Sequence, residues 1–414
     1  MKIVNLTKIY KINLPIFLIS LIPISLLISS GAAEVTAGIL IFSFIIHCIL
    51  NKDFYWLKEK NIFLVGIIWL ILIINLIFSN NQTLSLDRTI FFFRYILMIA
   101  CIQYFLKNNK NFNIIFFIWV LVLLIVSFDI CFEFFNKKNI LGFLSQDPSR
   151  IASFLGKELK IGHFVLGFSF LCTGFYFEKF YKKSESFLLI GYAIFFFFIL
   201  ALTLTGERSN TIKGIICFIL FIALSPRKKI KLKKIILIIL IAIPIAFYFF
   251  SEKTKLRYNA IISPIQNLGI EGAFKKSLHG AHYVTAIQIF KQYPIFGAGN
   301  KNFREECSNK KYYNSQYDRI EFRCSTHPHQ IYLELLSEHG IVGSLTIIFI
   351  IFYFLKESIK IYLKNKNLIH LGSIVFVSTT FIPVIPSGSF FTSWGAIIFW
   401  LNFSIMLFYN KQNK

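Results

Sequence analysis

The stretch Phe112 to Phe128 reads FNIIFFIWVLVLLIVSF and contains no charged side chain. A helix of this length and character can cross the hydrocarbon core of a bilayer, which takes roughly 17 to 25 apolar residues. The whole chain has 414 residues, of which 56% are hydrophobic and 50 are Phe, more apolar surface than a soluble core of this size buries. The sequence therefore predicts an all-α, polytopic integral membrane protein.

About twelve transmembrane helices are predicted when the same search is extended along the chain. Their expected first residues lie near positions 13, 35, 61, 88, 112, 161, 186, 211, 235, 340, 368 and 391. The sequence contains no internal repeat of the kind that builds solenoids or arrays. Residues 1–414 are thus predicted to form a single membrane domain.

Lys and Arg are distributed unevenly between the predicted loops. The termini and the loops on one side hold about 23 of them, whereas the short loops on the other side hold about two, Arg88 and Arg208. Because positively charged short loops stay in the cytoplasm, both termini are predicted to be cytoplasmic. The two long loops, about 136–160 and 252–339, are then periplasmic, and the second is inserted between spans 9 and 10.

The formal net charge of +24 is explained by the same distribution. Most of the basic residues flank helix ends on the cytoplasmic side, where they face anionic lipid headgroups. Membrane lipids are therefore the expected partners of this charge, and nucleic acid is not.

A histidine motif lies at the C-terminal end of the second long loop. His329-Gln330 is followed after nine residues by Gly340-x-x-Gly343, and apolar residues recur at helical spacing from Ile331 onward. We expect His329 to lie at or just before the start of a helix that continues into the tenth span. The free backbone amides of such a helix start favour phosphate binding.

The sequence resembles bacterial O-antigen ligases, a family that also includes O-antigen polymerases and related oligosaccharyltransferases. The resemblance extends over nearly the full chain. It rests on the histidine motif and on two further elements, Pro294-Ile-Phe-Gly297-Ala-Gly299 and Thr205-Gly206-Glu207-Arg208-Ser209.

The resemblance implies a GT-C-like fold in the bacterial inner membrane and an active site at the periplasmic face. It further implies a glycosyltransferase that moves a glycan from undecaprenyl pyrophosphate to a sugar hydroxyl of lipid A core. The reaction would need neither a metal nor another cofactor, and direct displacement would invert the anomeric carbon.

His329 and Arg208 are the predicted catalytic residues. A sugar hydroxyl is a weak nucleophile, and histidine is the natural base near neutral pH. Arginine binds phosphate through two parallel hydrogen bonds and does not titrate. Two alternatives stay open: His327 could be the base, and Arg208 could be an interfacial anchor that extends toward the headgroups.

The second cation of the phosphate site is less clear from the sequence. Relatives usually have an arginine at the start of the loop helix, where this chain has His279 and His282. Arg304 is the predicted replacement, with Arg150 behind it. The other predicted substrate-binding residues are Gln330, His327 and His282.

Cys307 and Cys324 both lie in the long periplasmic loop. Thiols in an oxidising compartment are expected to form a disulfide. A zinc site made by these two cysteines with His327 and His329 is the alternative, although His-x-His is closer than the usual spacing of zinc ligands.

Three other functions compete with the ligase interpretation. An O-antigen polymerase or a protein O-oligosaccharyltransferase would differ only in its acceptor. A secondary transporter or flippase is the rival from another class, and it should place its key ionisable groups at mid-span. Arg94, Lys213 and Asp129 come closest to that pattern, and an ion pair between Arg94 and the acidic residues Asp129 and Glu133 is one expectation for them.

Overall fold

The structure is a computed structural model that describes residues 14–109, 112–180, 184–226 and 230–412. Within these ranges it is built from α-helices, and the sole β element is an isolated antiparallel bridge between Lys138 and Leu144. The helices are α1 (Leu14–Ile28), α2 (Ser30–Leu50), α3 (Lys60–Ile77), α4 (Gln82–Ile90), α5 (Phe93–Asn108), α6 (Asn113–Asn136), α7 (Ile161–Phe180), α8 (Glu185–Leu204), α9 (Arg208–Leu224), α10 (Ile230–Phe250), α11 (Glu252–Lys276), α12 (Leu278–Gln292), α13 (Phe303–Glu306), α14 (Ile331–Asn365), α15 (Leu368–Thr380) and α16 (Ser393–Lys411).

The all-α prediction is confirmed, and each of the twelve predicted positions lies in a helix or within two residues of the start of one. In hydrocarbon a helix satisfies its own backbone hydrogen bonds, which is why apolar runs of this length adopt it. In the described part of the chain, seven helices are long and apolar enough to cross a membrane, and one bent pair makes an eighth if it is counted as one span. The count of about twelve spans stays a prediction.

Helix α7 lies at the centre of the bundle. In its most apolar window 83% of the residues are buried, and it packs against α6, α8, α9, α15 and α16. The peripheral helices α2 and α3 have only 33% of the corresponding window buried, so their remaining apolar surface is available to lipid. The N-terminus of α7 therefore starts from the inside of the bundle, where it contributes to the site described below.

Helices α10 and α11 form an elbow with a bend of 100°. The side chain of Ser251 caps α11 by accepting a hydrogen bond from the Thr254 amide. The sequence predicts a long loop from about residue 252, but the structure has a helix there, which continues through Pro264 and departs from helical geometry only at Gly269. The first part of the long loop is thus a helix that runs across the end of the bundle.

Helix α14 begins at Ile331 directly after the histidine motif, as predicted, and is broken at Gly340. Gly340 has φ 60°, and a Cβ placed there would lie 2.3 Å from the carbonyl oxygen of Ile295. The amides of Ile341 and Val342 donate to the carbonyls of Pro294 and Ile295. The break therefore locks the 294–299 segment against α14, which explains why the motif needs glycine at this position.

The charged residues inside the bundle have partners other than the predicted ones. Arg94 forms an ion pair with Glu34 at 2.8 Å, so the expected pairing of Arg94 with Asp129 or Glu133 is wrong. Asp129 accepts a hydrogen bond from the Ile140 amide, and Glu133 accepts one from the Ser153 amide. These two carboxylates hold the 137–153 loop on the end of α6.

Candidate functional site

A cavity of about 720 Å³ opens where the 150–160 loop, the start of α9 and the histidine motif meet. Arg150, Arg208, His327 and His329 are predicted site residues that line it. Further lining residues that the sequence analysis did not select include Lys160, His163, Glu207, Lys213, Arg257 and Ser389. Arginines line one part of the cavity, and the histidines of the motif line another.

The arginine side is formed by Arg150, Arg208 and Arg257, which we call the arginine wall. Nη1 of Arg208 donates to the carbonyl of Arg257 at 2.6 Å, and Nη2 of Arg257 donates to the carbonyl of Gly206 at 3.2 Å. Arg208 is the first residue of α9, a position where free amides and the helix dipole add positive potential. In the described residues no carboxylate lies within ion-pair distance of Arg208. The wall therefore retains positive charge for an anion.

A tight turn places Arg150 beside Arg208. Gly206 has φ 72°, and a Cβ there would lie 2.6 Å from the carbonyl oxygen of Ser149, so the two loops approach too closely for any other residue. The Ile151 amide donates to the carbonyl of Thr205 and ties the loops together. The Thr205–Ser209 element thus fixes the position of Arg208 relative to Arg150.

The acidic residues near the wall neutralise it only in part. Glu207 lies 3.9 Å from Arg150, and Asp147 lies 3.8 Å from Arg257, both longer than a charge-assisted hydrogen bond. Glu207 also accepts hydrogen bonds from the Gly162 amide and from Asn210. Its carboxylate therefore serves mainly to fix the ends of α7 and α9.

His329 is held in an unusual backbone conformation at the entrance to α14. Its φ is 60°, a left-handed geometry that non-glycine residues adopt rarely and that often marks functional sites. Its carbonyl accepts a hydrogen bond from the Ser387 amide at 2.8 Å, and its Nε2 shares one with Ser325 Oγ at 3.0 Å. The imidazole is therefore fixed in place before any substrate binds.

Four histidines gather around this position. The ring of His329 lies 4.2 Å from that of His327, 5.2 Å from that of His282 and 5.7 Å from that of His279, measured between centroids. Burial, and then the three neighbouring imidazoles, lower the pKa of His329 to about 3. Burial likewise lowers the pKa of His327 to about 4. Both imidazoles are consequently neutral at pH 7, the form that can accept a proton.

Three predicted substrate-binding residues lie outside the cavity wall. Gln330 is the N-cap of α14, and its side chain accepts a hydrogen bond from the Leu333 amide. His282 stands behind His329, with Nε2 directed at the carbonyl of Phe322 at 3.0 Å. Arg304 donates weakly to the Thr326 carbonyl at 3.5 Å, and partial burial followed by the charge of Arg88 lowers its pKa. Gln330 and His282 are thus positioned to support the motif from behind.

The 386–390 segment closes the cavity over the histidines, and Glu334 holds it. Glu334 is fully buried, and its carboxylate accepts hydrogen bonds from Ser389 Oγ and from the Phe390 amide, the latter at 2.9 Å. His327 Nε2 lies 3.3 Å from the carbonyl of Ser387. The sequence analysis missed Glu334, although an acidic residue in the first turn of an apolar helix is a signal that could have found it.

Two lysines extend the positive charge deeper into the cavity. Lys160 lies 4.8 Å from the ring of Trp394 and 3.2 Å from Glu158. Lys213, five residues after Arg208 on α9, is only 5% exposed. Lys213 was noted in the sequence as a mid-span charge, and it faces this cavity together with the arginines instead of an acidic partner on another helix. The site as a whole is strongly cationic.

A disulfide joins Cys307 to Cys324, with 5.2 Å between the Cα atoms. Both sulfurs are therefore bonded to each other, which leaves no thiolate for the alternative zinc site. Among the described residues, no group of three or more His, Cys, Asp or Glu side chains has an arrangement that could hold a metal ion. Arg323, next to Cys324, donates to the carbonyls of Cys307 and Ser308 and so holds together the same two segments that the disulfide joins.

Residues 193–350 match the family described as O-antigen ligase. This segment, which is less than half of the chain, resembles an O-antigen ligase domain. The resemblance inferred from the sequence is thereby confirmed, and the domain contains Arg208, Arg257 and His329, whereas Arg150 and the 386–390 segment lie outside the matched residues. No curated protein matches the chain.

The match supports a relation to membrane glycosyltransferases of the ligase and polymerase type, a family whose substrates in general are lipid-linked glycans. Such a substrate presents an anionic phosphate beside a sugar at the membrane surface. A cavity with a cationic wall and neutral imidazoles, at the end of a bundle of apolar helices, has the matching chemistry.

Proposed function

We propose that this protein transfers a glycan from undecaprenyl pyrophosphate to a sugar hydroxyl of lipid A core. The observation that carries the proposal is that Arg208 and His329, which are far apart in the sequence, line the same cavity. One supplies permanent positive charge for a leaving pyrophosphate, and the other supplies a neutral base. The matched O-antigen ligase domain spans both residues.

The arginine wall would bind the pyrophosphate of the donor. Each guanidinium can form two parallel hydrogen bonds with phosphate oxygens, and the charge that develops on the leaving group is stabilised most when the donors are already in place. Arg257 takes the position that the sequence analysis gave to Arg304, because it lines the cavity and contacts the Gly206 turn. Since the guanidinium groups supply the neutralising charge, the proposed mechanism requires no metal.

His329 would accept the proton of the acceptor hydroxyl as that oxygen attacks the anomeric carbon. A bond forms between the acceptor oxygen and the anomeric carbon, the bond from that carbon to the phosphate oxygen breaks, and undecaprenyl pyrophosphate leaves. Attack from the side opposite the leaving group inverts the anomeric centre. The proton remains on His329 until solvent or the departing phosphate removes it.

The low pKa of His329 fits this role once the donor is bound. In the free protein, burial and the surrounding imidazoles favour the neutral base. A bound pyrophosphate brings negative charge into the same cavity, and negative charge raises the pKa of a neighbouring imidazole. The donor would thus strengthen the base at the moment when it is needed.

The site is proposed to face the periplasm, in a multi-pass inner-membrane protein with both termini in the cytoplasm. The distribution of Lys and Arg between the loops supports this orientation. Lipid-linked glycans on that face would reach the cavity from the outer leaflet. Residues 252–339 are then a periplasmic loop, and the chain is one membrane domain.

The acceptor separates the ligase from its nearest alternatives. An O-antigen polymerase would use a second lipid-linked glycan, and a protein O-oligosaccharyltransferase would use a Ser or Thr side chain, at the same arginine wall and histidine. A transporter or flippase is disfavoured by the contacts of the mid-span charges, because Arg94 pairs with Glu34, while Asp129 bonds to the adjacent loop.

The test uses a strain that lacks its own ligase, with the protein, His329→Ala and Arg208→Ala expressed at equal levels. We expect long glycans on lipid A core with the parental protein and almost none with either variant. His47→Ala is the matched control, because His47 contacts Tyr104 away from the cavity. If both site variants attach glycans at the parental level, the proposed mechanism is wrong, and a longer lipid-linked chain or a glycoprotein as the product would identify the alternative acceptor.

A further inference from the structure

The two lysines of the 720 Å³ cavity, which we call the large cavity, have no ligand in the proposed reaction. Lys160 and Lys213 both line it. Lys213 follows Arg208 by five residues on α9, so its backbone lies about 7.5 Å further along the helix axis at the ordinary rise of an α-helix. The arginine wall and the lysines therefore form two positive regions at different depths of one cavity, and the wall already accounts for the donor pyrophosphate.

Lys213 is a buried cation whose charge the surrounding acids do not neutralise. Its side chain is 5% exposed, and in the part of the chain that the structure describes no carboxylate lies within ion-pair distance of it. Glu207 lines the same cavity, but it accepts hydrogen bonds from the Gly162 amide at 2.7 Å and from Asn210 at 2.6 Å. An unpaired buried ammonium group destabilises a fold, and ionisable groups among apolar helices usually mark functional sites for that reason. The charge of Lys213 is thus available to a ligand.

Lys160 and Trp394 lie in the same region of the large cavity. Nζ of Lys160 is 4.8 Å from the centroid of the Trp394 ring, and the indole N–H of Trp394 donates to the carbonyl of Leu26 at 3.0 Å, which fixes the ring. Lys160 also lies 3.2 Å from Glu158, but the side chain of Glu158 is 64% exposed, so solvent screens this ion pair. We call Lys160, Lys213 and Trp394 the lysine pocket.

The lysine pocket combines positive charge with an aromatic wall, to which Phe376 and Phe399 add further rings. Ligand cavities typically join such walls with a few polar groups that fix the orientation of the ligand. A sugar has an apolar C–H face that can pack on an aromatic ring, and a phosphate or carboxylate on that sugar would pair with an ammonium group. A neutral sugar would leave Lys213 unpaired, and an inorganic anion would leave the rings without a contact.

We infer that the lysine pocket binds an anionic sugar, one that carries a phosphate or a carboxylate next to the reacting centre, and thereby selects substrates by their charge. The inference rests on the proposed function and deepens it, because it assigns the pyrophosphate to the arginine wall and a second anionic group to Lys213. Either the acceptor or the donor glycan can carry such a sugar. The experiment therefore has one arm for each source.

Two variants remove the charges of the lysine pocket. Lys213→Met keeps an unbranched side chain and removes an unpaired buried charge, so we expect the melting temperature of the purified protein to stay the same or to rise. Lys160→Gln is the second variant. Its matched control is Lys311→Gln, because Lys311 lies 4.8 Å from the ring of Tyr312 and 3.3 Å from Glu306 but does not line the large cavity.

Equilibrium binding to the full-length protein in nanodiscs reads the pocket without requiring transfer. In the acceptor arm the protein is first saturated with polyprenyl pyrophosphate, which occupies the arginine wall. It is then titrated with a fluorescent oligosaccharide from lipid A core, either phosphorylated or treated with phosphatase. The donor arm omits the saturation and titrates polyprenyl-pyrophosphate glycans whose first sugar is a uronic acid or the matching neutral hexose.

Lys213→Met should weaken binding of the anionic form about tenfold to 100-fold in at least one arm, the loss of one hydrogen bond to a charged group, and leave the neutral form within about twofold. Lys160→Gln should reduce the same preference by less, and Lys311→Gln should not change it. A loss in the acceptor arm alone would identify the acceptor as the source of the anionic sugar, and a loss in the donor arm alone would identify the donor. Equal binding of anionic and neutral forms in both arms would overturn the inference, as would an equal loss for both forms in Lys213→Met.

Transfer assays on the same samples separate this inference from the proposed function. A parental protein that transfers glycan but does not distinguish anionic from neutral sugars would contradict the lysine pocket and leave the proposed function intact. A parental protein that transfers to no acceptor, but whose preference for the anionic form Lys213→Met abolishes, would contradict the proposed function and leave the lysine pocket intact.

Discussion

The two sides of the large cavity differ in how their charge responds to surroundings. The arginine wall carries guanidinium groups that stay protonated and donate hydrogen bonds to backbone carbonyls, as Arg208 does to that of Arg257 and Arg257 to that of Gly206. The histidine side carries imidazoles whose pKa values burial lowers, so that His329 is neutral. One side offers constant charge to an anion, and the other offers a proton acceptor whose strength the bound anion can adjust.

This difference predicts that substitutions on the two sides will lower glycan transfer in different ways. Loss of a guanidinium should weaken the donor complex. Loss of the imidazole should leave the donor bound and slow the chemical step. Variants at single positions test whether donor binding and the chemical step are separate in this way, and the largest effect is expected at His329.

His329→Ala should lower kcat about 100-fold to 10,000-fold, the usual contribution of a positioned general base, with little change in KM for the donor. Transfer of a radiolabelled glycan to purified acceptor measures both. His282→Ala is the control, because His282 is a neighbouring imidazole that lies outside the cavity wall. A comparable loss of kcat in His282→Ala would show that the cluster acts by its shape and not through one base.

Arg257→Ala should raise KM for the donor about tenfold to 100-fold, since a hydrogen bond to a charged group contributes about 1.5 to 3 kcal/mol. Arg304→Ala, a change of the same type in the same loop but outside the wall, should stay within about twofold. Steady-state kinetics with varied donor concentration measures the difference. The reverse result would return the second phosphate contact to Arg304, as the sequence alone suggests.

The pH profile should separate the free and donor-bound forms. Because the pKa of His329 in the free protein lies near 3, lowering the pH from 7 to 5 should leave this group neutral, and kcat/KM should not fall on its account. In the donor complex the pyrophosphate raises the pKa, so the acid limb of kcat should appear at higher pH than that of kcat/KM. An acid limb of kcat/KM at or above the ordinary histidine value of 6.5 would contradict the buried, neutral state of His329.

Cys307→Ser should have the smallest effect on the transfer rate. The disulfide spans 17 positions of the loop, and closing a loop of this length stabilises a fold by about 3 kcal/mol in the chain-entropy model. We expect a lower melting temperature of the purified protein with transfer close to parental at low temperature. A large loss of kcat without a change in melting temperature would place the disulfide in the site itself.

The parts of this molecule that depend on local sequence could be predicted, and those that depend on tertiary contacts could not. Apolar runs gave the helix positions, and the spacing after His329 gave the start of α14, because both follow from residues that are neighbours along the chain. Gly340 is recognisable as special, but its reason, the close approach of Ile295, is visible only in the structure.

The arginine wall shows the same limit. Arg208 could be selected because it is one of very few cations in the short loops of its face. Arg257 could not, because its place beside Arg208 depends on the 100° elbow between α10 and α11, in a stretch where the sequence predicts a loop. Glu334 could have been selected as an acidic residue in the first turn of an apolar helix, but its role could not be predicted, since its partners Ser389 and Phe390 lie more than fifty positions later in the chain.

The most direct test of the account measures donor binding and transfer on the same purified proteins. A fluorescent lipid-linked pyrophosphate glycan is titrated against the parental protein, Arg208→Ala and His329→Ala in nanodiscs, and transfer to lipid A core is then followed in the same samples. We predict that Arg208→Ala loses both binding and transfer, whereas His329→Ala binds the donor with parental affinity and transfers almost nothing. Parental transfer by His329→Ala, or loss of donor binding as severe as that of Arg208→Ala, would contradict the division between a wall that holds the anion and a histidine that takes the proton.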